Sequence, residues 1–256
     1  MNNNQNITQL ILPTAIFLDM DDTLLVDDAL SEPSWRTVCG QYSNRLHNLS
    51  ADLVYHTIRA ASNKYWSDGE KHRLGRLDLY QARRDVVNMA FADLGLQIPG
   101  LAVEMADAFS AVKEAAIAPF PGVMAALHSL KTQGLRLALI TNGSSLTQRK
   151  KINRFGLEPF FDCVLIEEEF GVGKPDERVF RAALDNLQVQ PSGTWMVGND
   201  LNHDIAGAQK LGILGVWIDR KKTGLPFQST VKPDRIILDL TELLPYRVWS
   251  RRRARD

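Results

Sequence analysis

Ala15-Ile16-Phe17-Leu18-Asp19-Met20-Asp21-Asp22-Thr23 joins four apolar residues to three carboxylates and a hydroxyl. A short apolar run that ends on a charge reads as a buried parallel strand delivering polar groups at its carboxyl end. Comparable runs recur at Leu135 to Ile140, Cys163 to Ile166, Thr194 to Val197, Gly215 to Ile218 and Arg235 to Leu238. Between them the apolar residues follow a helical period, as in Val123-Ala126-Leu127-Leu130, Leu146 to Phe155, Val179-Ala182-Ala183-Leu187 and Ile205-Ala208-Leu211. Strands alternating with helices predict an α/β fold, a doubly wound, Rossmann-like parallel sheet. In such folds ligands bind beyond the carboxyl ends of the strands, so the residues just after each run are the ones to examine.

From 27 to 118 the pattern changes to helical period throughout, with Pro119, Pro121 and Gly122 marking the return to the core. The predicted organisation is an α/β core at 14–26 and 119–245, an all-helical cap inserted at 27–118, and flexible termini at 1–13 and 246–256.

The chain has 256 residues, 45% hydrophobic and 23% charged, with 30 basic and 30 acidic side chains. That excludes global disorder and argues against a nucleic-acid or membrane-surface protein, which would carry a broad basic excess. The run from Arg247 to Arg255 is the local exception and reads as frayed surface. Cys39 and Cys163 make no disulfide framework and have no metal-ligand spacing, so a reducing, cytoplasmic setting is expected. The apolar stretch from Ile7 to Leu18 is interrupted by Thr8, Gln9, Pro13 and Thr14 and falls short of a membrane span.

Four strand ends carry chemistry. At Asp19-Met20-Asp21-Asp22-Thr23, residues two apart can face one cavity, and such close carboxylates are tolerated when a cation neutralises them or one is protonated. Mg²⁺ suits oxygen ligands of this kind, although an acidic loop capping a helix reads the same way. Thr141-Asn142-Gly143 offers a hydroxyl and backbone N–H groups to an anion, or is an ordinary turn. Gly171-Val172-Gly173-Lys174-Pro175 is not a nucleotide loop, since Glu168 stands where the first Gly belongs and Pro175 where Ser or Thr should be. It leaves Lys174 as a point charge in a shaped loop. Gly198-Asn199-Asp200, with Asp204 a helical turn later, offers further carboxylates or a helix cap; His203 between them reads as a bystander.

Together, Asp19-Met20-Asp21-Asp22-Thr23, Thr141, Lys174 and Gly198-Asn199-Asp200…Asp204 resemble, in order, the motifs of the haloacid dehalogenase (HAD) superfamily of hydrolases. The helical insert resembles that superfamily's C1 cap. Phe120-Pro121-Gly122-Val123 and Glu168-Glu169-Phe170-Gly171-Val172-Gly173-Lys174-Pro175 resemble its small-molecule phosphatases. The likeness spans roughly 14 to 240.

The resemblance implies that Asp19 is a nucleophile forming an aspartyl-phosphate and Asp21 a general acid–base. It implies that Thr141, Asn142 and Lys174 bind the phosphate, with Thr141 and Lys174 catalytic. Mg²⁺ is expected on Asp19, Asp21 and Asp200, with Asn199 the alternative to Asp200 and Asp204 behind them. Family members that dehalogenate lack an acid at position 21, so its presence points to phosphate monoesters. A phosphomutase acting on a sugar phosphate and a non-catalytic binding protein stay open as alternatives. The expected partner is a small-molecule phosphate ester, with no nucleic acid or membrane and a monomer or homodimer. Lys64, Lys71, Arg73, Arg76, Arg83 and Arg84 either contact a second anionic group or form a solvated face. Trp35, Tyr42, Tyr65 and Trp66 read as cap core.

Overall fold

The structure, a computed structural model, describes residues 13–47 and 49–244. The basic run at 247–255 and nearly all of the expected flexible termini lie outside the described residues.

β1 (Ala15–Leu18) is buried on both faces, and its alternation divides the core. Ile16 and Leu18 pack with Val123, Ala126 and Leu127 of α6 (Val123–Thr132) and with Ile152 of α7 (Ser145–Arg154). Ala15 and Phe17 face the opposite layer, where they meet Val179, Phe180 and Ala183 of α9 (Glu177–Leu187). A strand with no solvent face has no reason to alternate polar and apolar residues, which is why the run reads as continuously apolar.

β2 (Arg136–Thr141), β3 (Cys163–Ile166), β4 (Thr194–Gly198), β5 (Leu214–Ile218) and β6 (Arg235–Ile237) complete a six-stranded parallel sheet in the order β3-β2-β1-β4-β5-β6. The doubly wound α/β expectation is borne out. Because successive strands run outward on either side of β1, the order reverses at β1, and a crevice opens beyond the carboxyl ends of β1, β2 and β4. In register, Leu18 lies between Leu139 and Val197, so the residues that follow these three strands emerge side by side.

Between β1 and β2 the chain forms α1 (Ser31–Gln41), α2 (Ala51–Ser67), α3 (Gly69–Gly75), α4 (Leu79–Asp93) and α5 (Leu101–Ala116). Ser50, Asp68 and Asp78 cap α2, α3 and α4 by accepting backbone N–H bonds in the first turn. These helices enclose a separate apolar cluster that includes Val54, Ile58, Val87 and Met105, with Trp35 stacked on Phe109 at 3.9 Å. Trp35 and Tyr65 are buried in this cluster, and Tyr42 and Trp66 pack against it. Cys39 is buried there as well, its thiol pushed up to about 11 by burial.

The helix expected at Ile205-Ala208-Leu211 opens instead as a π-helical turn, Leu201–Ala206, before α10 (Gly207–Gln209). Among the described residues, no helix is long and apolar enough to cross a membrane.

Candidate active site

Asp19 extends the sheet beyond β1, its N–H donating to the Val197 carbonyl at 3.0 Å. Its side chain meets Lys174, whose Nζ lies 2.6 Å from Asp19 Oδ1 and 2.7 Å from Asp204 Oδ1. All three residues are buried. Burial pushes the Asp19 carboxyl up to about 7; Lys174 opposes the rise, and the charges of Asp204 and Asp21 add to it. For Lys174, burial acts downward, but the two carboxylates outweigh it and hold the ammonium above its ordinary value. The site thus contains two buried acids around one buried cation, a negative excess in a low-dielectric crevice.

Lys174 is aimed by its own backbone. The Asn142 side chain donates to the Lys174 carbonyl and accepts from the Lys174 N–H, both at 2.8 Å. Asn142, expected to bind phosphate, therefore has its side chain engaged in holding the lysine loop, and only its backbone N–H is left for an anion. Gly173 permits this approach, since a Cβ there would lie 2.5 Å from Asn142 Oδ1 and 2.7 Å from Glu167 Cδ. Glu167 cannot easily move aside, because it accepts from Arg76 Nε at 2.8 Å and from Gly143 N–H at 3.0 Å. Gly173→Ala is expected to cost about 1–3 kcal/mol of stability by overpacking. Urea denaturation measures it, and an unchanged midpoint would mean that the loop is not tightly held.

Asp21 lies against a different set. Lys151 Nζ is 2.7 Å from its Oδ1, and Gln148 Nε2 is 3.0 Å from its Oδ2. Gln148 Nε2 also stands 2.6 Å from Thr141 Oγ1 and 2.8 Å from the Asn142 carbonyl, tying Asp21 to the loop after β2. Asp22 does not join the cluster. Its φ of 57° turns it away, and its Oδ1 accepts the N–H groups of Asp27 and Asp28, both at 3.0 Å. The three carboxylates of the first motif are thereby kept apart.

In the fourth motif Asp200 and Asp204 diverge. Asp200 Oδ1 accepts the N–H groups of Asn202 and His203 at 2.8 Å, and its Oδ2 pairs with His203 Nδ1 at 3.0 Å. Burial alone would raise the Asp200 carboxyl, but the His203 side chain and these backbone donors bring it to about 2. Asp204, nearly inaccessible, turns inward to Lys174 and accepts the Asp200 N–H at 3.0 Å. The π-helical turn widens the backbone here, with Ile205 N–H reaching the Asp200 carbonyl, and such turns gather at functional sites. A Cβ on Gly198 would sit 2.1 Å from Asp204 Oδ2, so only glycine admits that carboxylate. The reading that ranks Asp200 before Asn199 as a metal ligand is not what this geometry favours. Asp200 serves its own helix and His203, whereas Asn199 Oδ1 faces the first motif, 3.4 Å from Thr23 Oγ1. His203 holds Asp200 and is no bystander.

A cavity of about 870 Å³ opens above these strand ends, lined by Asp21, Asn142 and Gln148 below and by Trp35, Arg83 and Phe109 of the helical segment above. Of the cap cations considered from sequence, Arg76 binds Glu167, Arg83 lines the cavity, Arg84 pairs with Asp107, and Lys64, Lys71 and Arg73 are exposed. Sequence reasoning missed Gln148, Lys151 and Glu167. Gln148 and Lys151 share the buried side of α7 with Ile152, so polar residues at core-facing helix positions were the available signal. Glu167 directly follows β3 and opens α8 (Glu167–Phe170), the helix that separates β3 from the Lys174 loop, so this strand end deserved the same scrutiny as those of β1, β2 and β4.

Over 211 residues, 81% of this chain and 84% of the relative, the sequence is 30% identical to a protein of Methanopyrus kandleri named glyceraldehyde 3-phosphate phosphatase. It is 41% identical over 147 residues, 57% of each chain, to a Thermus thermophilus protein named phosphoserine phosphatase. The magnesium-bound Bacillus subtilis protein YfnB shares the fold, with a TM-score of 0.70 and 22% identity across 91% of this chain and 97% of that one. The family model described as haloacid dehalogenase-like hydrolase matches residues 13–212. Matched by that model over most of its length, the chain belongs to the haloacid dehalogenase-like hydrolases.

Proposed function

We propose that this hydrolase is a Mg²⁺-dependent phosphatase that cleaves a small-molecule phosphate monoester through a phosphorylated Asp19. Asp21 carries the reading. Lys151 and Gln148 hold its carboxyl group at the cavity wall, two residues beyond Asp19, where it can protonate a departing alkoxide, a role that a halide leaving group would not need. The relatives named as phosphatases of glyceraldehyde 3-phosphate and phosphoserine support a small, polar ester. Two free cysteines fit a cytoplasmic setting.

In this reading Asp19 attacks phosphorus as the bond to the ester oxygen breaks, and the alcohol leaves with the proton of Asp21. Asp21, now ionised, takes a proton from water; the water oxygen joins phosphorus and Asp19 is released with inorganic phosphate. Lys174, Thr141 and the Asn142 N–H orient the phosphoryl oxygens, and Gln148 aligns the Thr141 hydroxyl with Asp21. A hard divalent cation fits the donors on offer, namely the Asp19 carboxylate, the Asp21 carbonyl and the Asn199 amide oxygen. Such a set contains one carboxylate and two neutral oxygens, consistent with the lack, among the described residues, of any cluster of three acidic, His or Cys side chains. The chemistry supplied by the ion when bound is charge neutralisation at the transferring phosphoryl group.

Phosphate release from an aryl phosphate, compared in Mg²⁺ and in EDTA, tests the activity. No release from aryl or alkyl monoesters, together with no beryllofluoride adduct at Asp19, would overturn it. Asp21→Asn separates the roles, because an aryl oxide leaves without help and an alkoxide does not. The loss is expected to be roughly 10²- to 10⁴-fold for an alkyl ester and clearly smaller for a nitrophenyl ester. Equal losses on both would remove Asp21 as the acid.

A further inference from the structure

The reaction centre does not account for all the cations that line the cavity. Lys113 of α5 and Lys151 of α7 are buried, and Arg83 of α4 has a side chain only 13% exposed. All three line the cavity. They surround Asp27, whose Oδ1 is 2.7 Å from Lys113 Nζ and whose Oδ2 is 3.6 Å from Lys151 Nζ. Burial acts upward on the Asp27 carboxyl, but Lys113, Lys151 and Arg83 together hold it below its usual value. Lys151 also carries Asp21.

The carboxylates present do not balance these cations. Glu114 is the nearest acid to Arg83 among the described residues, yet it approaches no closer than 4.0 Å and is already engaged by Lys150 at 2.6 Å and by the Tyr80 hydroxyl at 2.7 Å. That leaves Asp21 and Asp27 facing three cations. The Arg83 guanidinium lines the cavity, donates to the neutral Ser110 Oγ at 2.9 Å and stands 5.3 Å from the Phe109 ring centroid, so among the described residues no carboxylate hydrogen-bonds its fork of donors. Burial lowers its basicity, the mark of a charge short of compensation. Trp35, stacked on Phe109, closes the wall beside it. A partly desolvated arginine with an open fork is matched by a planar or tetrahedral oxyanion bound through two parallel hydrogen bonds.

We propose that Arg83 and Lys113 form a specificity site for a second anionic group, a carboxylate or a further phosphate, carried on the alcohol part of the substrate. This rests on the phosphatase reading and narrows it to short, doubly anionic phosphate esters. The phosphoryl group is taken by Thr141 and Lys174, and the other anion reaches across the cavity to the helical segment. Lys113 reaches Asp21 through Asp27 and Lys151, so the two anion sites are separated by a short chain of ion pairs and suit a small molecule.

Steady-state kinetics on matched esters test the proposal. Three short-chain phosphate monoesters of one length, ending in a carboxylate, a second phosphate or a neutral primary amide, are compared with a neutral aryl phosphate. Charge-assisted bonds to the buried cations are expected to raise kcat/KM for one or both acidic esters about 10- to 100-fold over the amide. Which acidic ester is preferred identifies the anion. In Arg83→Gln that preference collapses toward unity, mainly through KM of the acidic ester. If wild type hydrolyses the aryl phosphate but treats acidic and neutral esters alike, the specificity site is refuted and the phosphatase stands. If no ester is hydrolysed, both fall. The wild-type comparison is decisive even if Arg83→Gln folds poorly.

Discussion

Asp19→Asn ends phosphate release, with kcat falling by about 10⁴-fold or more, as expected when a nucleophile is removed and only binding is left. The same variant melts at a higher temperature than the parent in metal-free buffer at pH 8. The reason is linkage. The carboxyl of Asp19 titrates near 3.8 when unfolded and is pushed up to about 7 in the fold, chiefly by burial. A carboxyl raised on folding favours the folded state fully below about pH 4, where it is protonated in both states, and that contribution is lost as pH climbs through about 7. Above that pH the ionised, buried Asp19 is a liability on the order of a few kcal/mol, and asparagine removes it while Asp204 keeps Lys174 paired. The gain in melting temperature should shrink as pH is lowered toward 4. Adding Mg²⁺ should raise the melting temperature of wild type more than that of the variant, because only wild type keeps the anionic ligand. Activity above about one hundredth of wild type would remove Asp19 as nucleophile. A variant that melts lower than wild type at pH 8 would sink the electrostatic account.

The largest loss of stability belongs to Lys174→Met. The ammonium lies between Asp19 and Asp204, and all three are buried, so its removal strands two like charges in the crevice. Breaking a buried pair by deleting one partner costs about 3–5 kcal/mol, and here two acids lose the same partner. At neutral pH the variant should unfold at much lower denaturant concentration and lose its turnover. Acidification should recover part of the stability, since protonation relieves the repulsion. Combining Lys174→Met with Asp204→Asn should restore folding without restoring activity, which separates the structural role of the lysine from its role beside the phosphate. A denaturation midpoint for Lys174→Met equal to that of wild type would mean that the triad contributes nothing to the fold.

Charge is unbalanced in two neighbouring places. Asp19 and Asp204 leave a negative excess around Lys174, while Arg83, Lys113 and Lys151 leave a positive excess in the wall of the cavity. The proposed substrate, with two anionic ends and entering with Mg²⁺, would relieve both. Arg76 links the helical segment to the loop after β2 through Glu167, which accepts Gly143 N–H, so helical segment and core meet at that loop.

Much of this was legible in one dimension. The strands could be read because burial on both faces demands unbroken apolar runs, and the core-facing helices because one stripe must match that core. Asp19 and Thr141 could be singled out because they stand at or just beyond strand ends, where a doubly wound sheet opens its crevice, and Lys174 because its Gly- and Pro-rich loop marks it, although a short helix separates it from β3. Local sequence is enough for such features, since each follows from a repeat of two to four residues or from a terminus.

Partner choice was decided only by the folded chain. Asp200 and Asp204 are near neighbours in sequence and equally acidic, yet one caps its own helix and the other is buried against a lysine. Asn142 looks like an anion ligand until its side chain is seen pinned to the Lys174 backbone. Gln148 and Lys151 belong to a helix whose sequence gives no hint that Asp21, more than a hundred residues earlier, lies beneath them. Periodicity and composition determine which residues are buried and where strands end, because hydrophobic burial acts on each segment by its own pattern. Which charge meets which depends on ångström distances between segments remote in the chain, and those are set by sheet order, the width of one helical turn and the absence of a Cβ at Gly173 and Gly198.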